Sequence, residues 1–154
     1  MIMNNEDVNI ISDETLIYQL KADLQELFKN SEYNDTIVKD KFEFYPEPSY
    51  PMVVISELEN SDNSKYYDLK EHIVNVGYQI TIFCDETFDK TAIENVQSLI
   101  ELIKQYMRGE RYHALKRTGG TPITKKSEDE NIMVGYMRYT GCIDIDNHII
   151  YRRN

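Results

Sequence analysis

Val74, Val76, Tyr78, Ile80, Ile82 and Cys84 fall on every second position of the segment 71–84. Asn75, Gly77, Gln79 and Thr81 fill the alternate positions. A strand turns successive side chains to opposite faces, so this run describes a half-buried strand whose apolar side needs a covering layer. An antiparallel sheet with one solvated face uses such a strand. Two segments supply the cover. Leu16, Ile17, Leu20, Leu24, Leu27 and Phe28 follow at intervals of one, three and four, which keeps one helical face apolar and predicts a helix over 13–30. Ser12 or Asp13 is placed to cap it, with Asp13 and Glu14 at the positive end of its dipole. A second helix is expected to start near Asp89, to carry Ala92, Ile93, Val96, Leu99, Ile100, Ile103, Tyr106 and Met107, and to stop at Gly109.

The remaining segments read as strands and connections. Residues 36–44 suit a short edge strand. Pro46, Pro48 and Pro51 keep 45–51 out of a ladder and make it an extended surface connection. Met52 to Ser56 is a β-branched, buried strand, and 60–64 a polar turn. Tyr112 to Thr118 reads as a strand, Gly119-Gly120-Thr121-Pro122 as a turn and 125–131 as a polar loop. A second long strand spans 132–145. Its apolar parity switches between Ile132, Val134, Tyr136 and Ile143, Ile145, which predicts a bulge at Gly135 or Gly141. Asp146-Asn147 turns the chain into a last strand, 148–152. The expected fold is α+β, a largely antiparallel mixed sheet of four to six strands flanked by two main helices. It forms one domain over 1–154, with 1–11 a frayed polar lead.

Charge narrows the function classes. Lys and Arg number 17 against 27 Asp and Glu, giving −10 and a pI near 4.7. Such a chain is repelled by free nucleic acid and by anionic membranes. Lys116, Arg117, Lys125 and Lys126 approach a basic patch, but Glu128, Asp129 and Glu130 follow at once. No apolar run approaches the ~18 residues of a spanning helix, and the N-terminus lacks the pattern of a secretory signal, so a cytoplasmic protein is expected. Cys84 and Cys142 are expected as buried thiols, with a disulfide open only if their strands meet.

No catalytic constellation stands out. His72, His113 and His148 are scattered and do not make the converging ligand set of a zinc site. Gly119-Gly120-Thr121 is too short for a phosphate loop, and Asp144-x-Asp146-Asn147 lacks the glycine and closing glutamate of a calcium loop. No catalytic residue, metal ligand or cofactor is therefore assigned, and the chain is read as a non-enzyme. Aromatic usage says more: 12 Tyr, 5 Phe and no Trp. Tyr45, Tyr50, Tyr66 and Tyr67 lie in loop-like segments. Tyr suits protein interfaces; it also replaces Phe at half-buried strand positions, and both readings stand.

An amphipathic helix, the link Tyr45-Pro46-Glu47-Pro48-Ser49-Tyr50-Pro51, the strand Met52-Val53-Val54-Ile55, the strand Tyr78-Gln79-Ile80-Thr81-Ile82-Phe83, the helix with Ile93, Val96, Leu99, Ile100 and Ile103, and the closing Ile149-Ile150-Tyr151-Arg152 follow in that order. Over residues 12–152 this order resembles the tail terminator (neck) proteins of tailed bacteriophages. The resemblance implies a structural protein of the virion tail or neck, assembled in the host cytoplasm, that forms a homo-hexameric ring. Such a ring caps the tail tube, ends its polymerisation, and offers a surface to a head completion or connector protein. DNA would pass through the lumen without specific binding, and an acidic lumen would let it slide. The link 45–51 and the loop 118–131 are the expected contact regions, with solvated loops as the plain alternative. Tyr45, Tyr50, Tyr66, Tyr67, Lys125, Lys126 and Tyr139 are the candidate subunit or partner contacts. Two other readings remain: a head–tail joining or stopper protein, and a small cytoplasmic enzyme or regulatory domain. The last predicts a concave pocket of converging polar groups.

Overall fold

A computed structural model describes residues 13–40, 49–58, 73–86, 89–109, 111–120, 122–126, 131–144 and 149–151. Helix α1 spans Asp13–Lys29. Strands β1 (Ile37–Asp40), β2 (Met52–Glu57) and β3 (Ile73–Cys84) follow, then helix α2 (Ala92–Met107). Strands β4 (Lys116–Gly120), β5 (Thr124–Lys125), β6 (Met133–Asp144) and β7 (Ile149–Tyr151) complete the order. The expected α+β fold with a mostly antiparallel sheet is present. Among the described residues the sheet has seven strands, or six without the two-residue β5. No helix among the described residues is long and apolar enough to cross a membrane.

The sheet is built around one long pair. β3 and β6 run antiparallel in an unbroken register from Ile73 opposite Asp144 to Cys84 opposite Met133. On the far side of β3 lies β2, antiparallel, and then β1, parallel to β2, at the edge. On the far side of β6, three short strands share its length: β5 at 133–134, β4 at 137–140 and β7 at 142–144.

One face of the sheet is the core. Val53 and Ile55 of β2, Tyr78, Ile80 and Ile82 of β3, and Met137 and Tyr139 of β6 are buried with Leu16, Leu20, Leu24 and Phe28 of α1 and Val96, Leu99 and Ile103 of α2. Each buried apolar side chain of this size is worth about 1.5–3 kcal/mol by transfer, so these side chains dominate the stability of the fold. Gly135 lets α2 come close: a Cβ there would stand 3.0 Å from Val96 Cγ1 and 3.3 Å from Ile100 Cδ1.

Polar groups tie the helices down. The Gln25 amide bridges the outer backbone of the edge strand, donating to Thr36 O (3.0 Å) and accepting from Val38 N (3.1 Å), which occupies groups that an open edge would offer to another chain. Asp23 accepts from Arg111 (2.9 Å), from the Tyr112 hydroxyl (2.6 Å) and from Gln19 (2.9 Å), pinning α1 to the segment after α2. Burial and this carboxylate push the Tyr112 phenol far up. Asn95, fully buried in α2, accepts from the Tyr33 hydroxyl (3.2 Å) and donates to Asp85 O (3.0 Å).

Several expectations are corrected. Helix α2 begins at Ala92, with Thr91 as its N-cap: Thr91 Oγ1 accepts from Glu94 N and donates to the Glu94 carboxylate. Asp89 stands apart from the helix at a positive φ of 56°. The other end of the helix stops where expected, with Arg108 as the cap in right-handed geometry and Gly109 just past it at a φ that is not positive. Tyr112 belongs to a turn, and β4 begins only at Lys116. Gly119 and Gly120 are not a turn; they pair with Arg138 and Met137. Lys125 is in a strand rather than a loop. The β3–β6 ladder has no bulge at Gly135 or Gly141; the irregularity lies across from β6, between Arg117 and Gly119. Cys84 and Cys142 are buried thiols, not joined in a disulfide, near opposite ends of the β3–β6 pair, and Cys142 Sγ donates to Asn75 Oδ1 at 3.2 Å. Cys142 sits opposite Asn75, nine residues from Cys84 along β3, roughly 30 Å at the strand rise. The lead 1–11, the link at 45–48, the turn 60–64 and the turn at Asp146-Asn147 lie outside the described residues.

Candidate functional site

Two features stand out on the surface that this fold creates: the second face of the sheet, and a concavity where α2 ends. The second face is written by the alternate parity. Val54 of β2, Thr81 and Phe83 of β3, and Val134 and Tyr136 of β6 are half-buried there, and no described helix lies over them. Phe83 pairs with Val134 and with Met52, and Thr81 with Tyr136 and Val54, so these side chains form neighbouring rows across three strands. A polar row crosses the same face. Arg138 Nε donates to Gln79 Oε1 (3.0 Å), Gln79 Nε2 donates to Thr81 Oγ1 (3.0 Å), and the Arg138 guanidinium lies 5.0 Å from the Tyr136 ring centre. Tyrosine and arginine combine apolar area with directed donors and are enriched at protein interfaces.

The concavity encloses about 360 Å3. Lys104 and Arg108 reach it from the last turn and cap of α2, His113 from the turn that follows, and Lys116 and Arg117 from the start of β4. Its apolar floor is Met107, Leu115 and Tyr139. Two local bonds shape the turn: His113 N donates to Gly109 O (3.0 Å) and Leu115 N to Tyr112 O (2.9 Å). Arg117 is the register partner of Tyr139, which sets the guanidinium beside the phenol at the strand edge. Burial pushes the Tyr139 phenol up, opposed by the charges of Arg117 and Arg108. Tyr139 thus remains a protonated donor at neutral pH. Lys104 pairs with Glu101 at 3.2 Å; among the described residues no carboxylate lines the cavity.

The structure separates the residues singled out by sequence. Tyr50 is half-buried beside Pro51, just before β2. Lys125 and Lys126 are exposed at β5, and β3 and β6 stand between them and β2. Tyr139, expected at a subunit surface, is instead 4% exposed in the core, because its parity on β6 faces the helices. Tyr45, Tyr66 and Tyr67 lie outside the described residues. The near-patch of four cations is divided. Lys116 and Arg117 join the cavity, while Lys125 pairs with Met133, six residues along β6 from Tyr139 and roughly 20 Å away.

Cys84 offers no reactive thiol. It is fully buried on the helix side, and burial, aided by the charge of Asp85, pushes it up to about 12. No metal-holding group of His, Cys, Asp and Glu is present among the described residues. No protein-family model matches the chain, and no curated protein matches it in sequence.

Proposed function

We propose that this chain is a structural assembly protein of the tailed-phage virion, of the tail-terminator type, that associates with its own copies into a ring through the helix-free face of its sheet. The ring would cap the tail tube and offer its other surface to a head completion protein. The observation that carries this reading is the unequal treatment of the two sheet faces. One is sealed by α1 and α2. The other holds Val54, Phe83, Val134 and Tyr136 at half-burial, with Arg138 bonded to Gln79 beside them. A face of this composition is suited to a protein partner. Ring closure needs a head-to-tail contact between unlike surfaces. In this chain the sheet face and the helix layer are such a pair.

The test is absolute mass by light scattering over a wide concentration range, followed by addition of purified tail tubes. A particle near six times the 18.2 kDa chain mass, or one that grows towards it with concentration, is the expected result, together with binding at tube ends. A mass of one chain at every concentration, with no binding to tube ends, would overturn the reading.

A further inference from the structure

We propose that the cavity at the end of α2 is a binding site for a small phosphate-bearing molecule with an apolar body. The site stands independently of ring assembly.

The charge pattern is the first reason. The chain carries ten more acids than bases, yet four of its 17 Lys and Arg line this one concavity. Lys104 and Arg108 have a local explanation, since cations complement the carbonyl end of a helix. Lys116 and Arg117 have none, because they sit on β4, yet the chain reversal after α2 brings them to the same opening. Concentrating like charge in one concavity carries a repulsive cost that a bound anion removes. Lys104 is already paired with Glu101, but Arg108, Lys116 and Arg117 still call for more than the single charge of one carboxylate. Two of them are guanidiniums, whose forked donors match phosphate oxygens.

The shape is the second reason. About 360 Å3 falls in the range of small-molecule pockets, ~300–1,000 Å3, and is concave rather than flat. The floor of Met107, Leu115 and the Tyr139 ring is buried and apolar, so it would cover a hydrocarbon or aromatic portion while the phosphate meets the rim.

Isothermal titration of the full chain at pH 7.5 with phenyl phosphate and with inorganic phosphate tests this. Expected are one saturable site per chain and an affinity for phenyl phosphate at least tenfold above that for inorganic phosphate. The double variant R108Q/R117Q, changed only at exposed positions, should weaken phenyl phosphate at least tenfold. K125Q/K126Q removes the same charge outside the cavity and should change affinity less than twofold. No saturable binding, equal loss in both double variants, or equal affinity for the two probes would overturn the proposal. Light scattering with and without phenyl phosphate completes the test: an unchanged mass supports a small-molecule site. A mass that falls on addition would assign the cavity to an acidic segment of a neighbouring copy and overturn it. If the chain proves to be a monomer, ring assembly fails while the titration remains readable.

Discussion

The two faces of the β2–β3–β6 sheet are made from the same strands and differ in what holds them. On the helix side Ile80, Ile82, Val53 and Ile55 are fully buried in one cluster with apolar residues of α1 and α2. On the other side the same strands show Thr81, Phe83, Val54 and Tyr136 at half-burial, and order comes from hydrogen bonds among Arg138, Gln79 and Thr81. The helix side fixes the fold. The other side is packed less closely at Val54, Thr81, Phe83 and Tyr136, although Met52, Asn75 and Cys142 on the same face are buried.

Substitutions on the two faces should therefore part stability from assembly. Ile80→Ala, at the centre of the helix side, is expected to cost about 3–5 kcal/mol in urea unfolding, through lost burial plus a cavity that the ladder on both sides of β3 keeps from collapsing. Relative to a Cys84→Ala chain, the native protein should lose stability as pH rises. The thiol ionises near 9 in the unfolded chain and near 12 in the folded one. Its contribution is thus complete below pH 9 and declines by about 1.4 kcal/mol per unit from 9 to 12. Urea midpoints of the two proteins at pH 8.5 and 10.5 check the sign. Gly135→Ala should cost about 1–2 kcal/mol, because its new methyl meets Val96 and Ile100 of α2 at 3.0–3.3 Å. Phe83→Ser, on the helix-free face, should shift the unfolding free energy by less than about 1 kcal/mol, yet lower the mass of the assembled particle. Equal stability losses at Ile80 and Phe83 would erase the distinction between the faces.

The sequence made the helix side legible where the pattern was carried by side chains. The period of two in β3 survives intact as Val76, Tyr78, Ile80, Ile82 and Cys84, all buried. In α1 the apolar stripe stands as read. β6 was harder, because its helix-facing parity is written Gly135, Met137, Tyr139, Gly141. Two glycines leave that side without a hydrophobic signature, and the visible apolar residues Val134 and Tyr136 belong to the other face. The missing bulge follows: the parity never switches. For α2, the spacing Thr91-x-x-Glu94 is a capping signal, and it outweighs the acidic residues before it. Gly119-Gly120 has the composition of a turn and becomes a strand only because β6 offers it a ladder, which no local rule can anticipate. The cavity was hidden for a similar reason. In sequence Lys116 and Arg117 stand near Lys125 and Lys126, but their neighbours in space, Lys104, Arg108 and Tyr139, come from a helix and another strand.

The central claim is that the helix-free face assembles the protein without holding up its fold. Light scattering of the native chain beside the F83E/Y136E double variant, at one high concentration and with far-UV circular dichroism on both, tests it most directly. The account predicts a native particle near six chain masses and a variant at 18.2 kDa with an unchanged spectrum. A variant that assembles as the native chain does would contradict it.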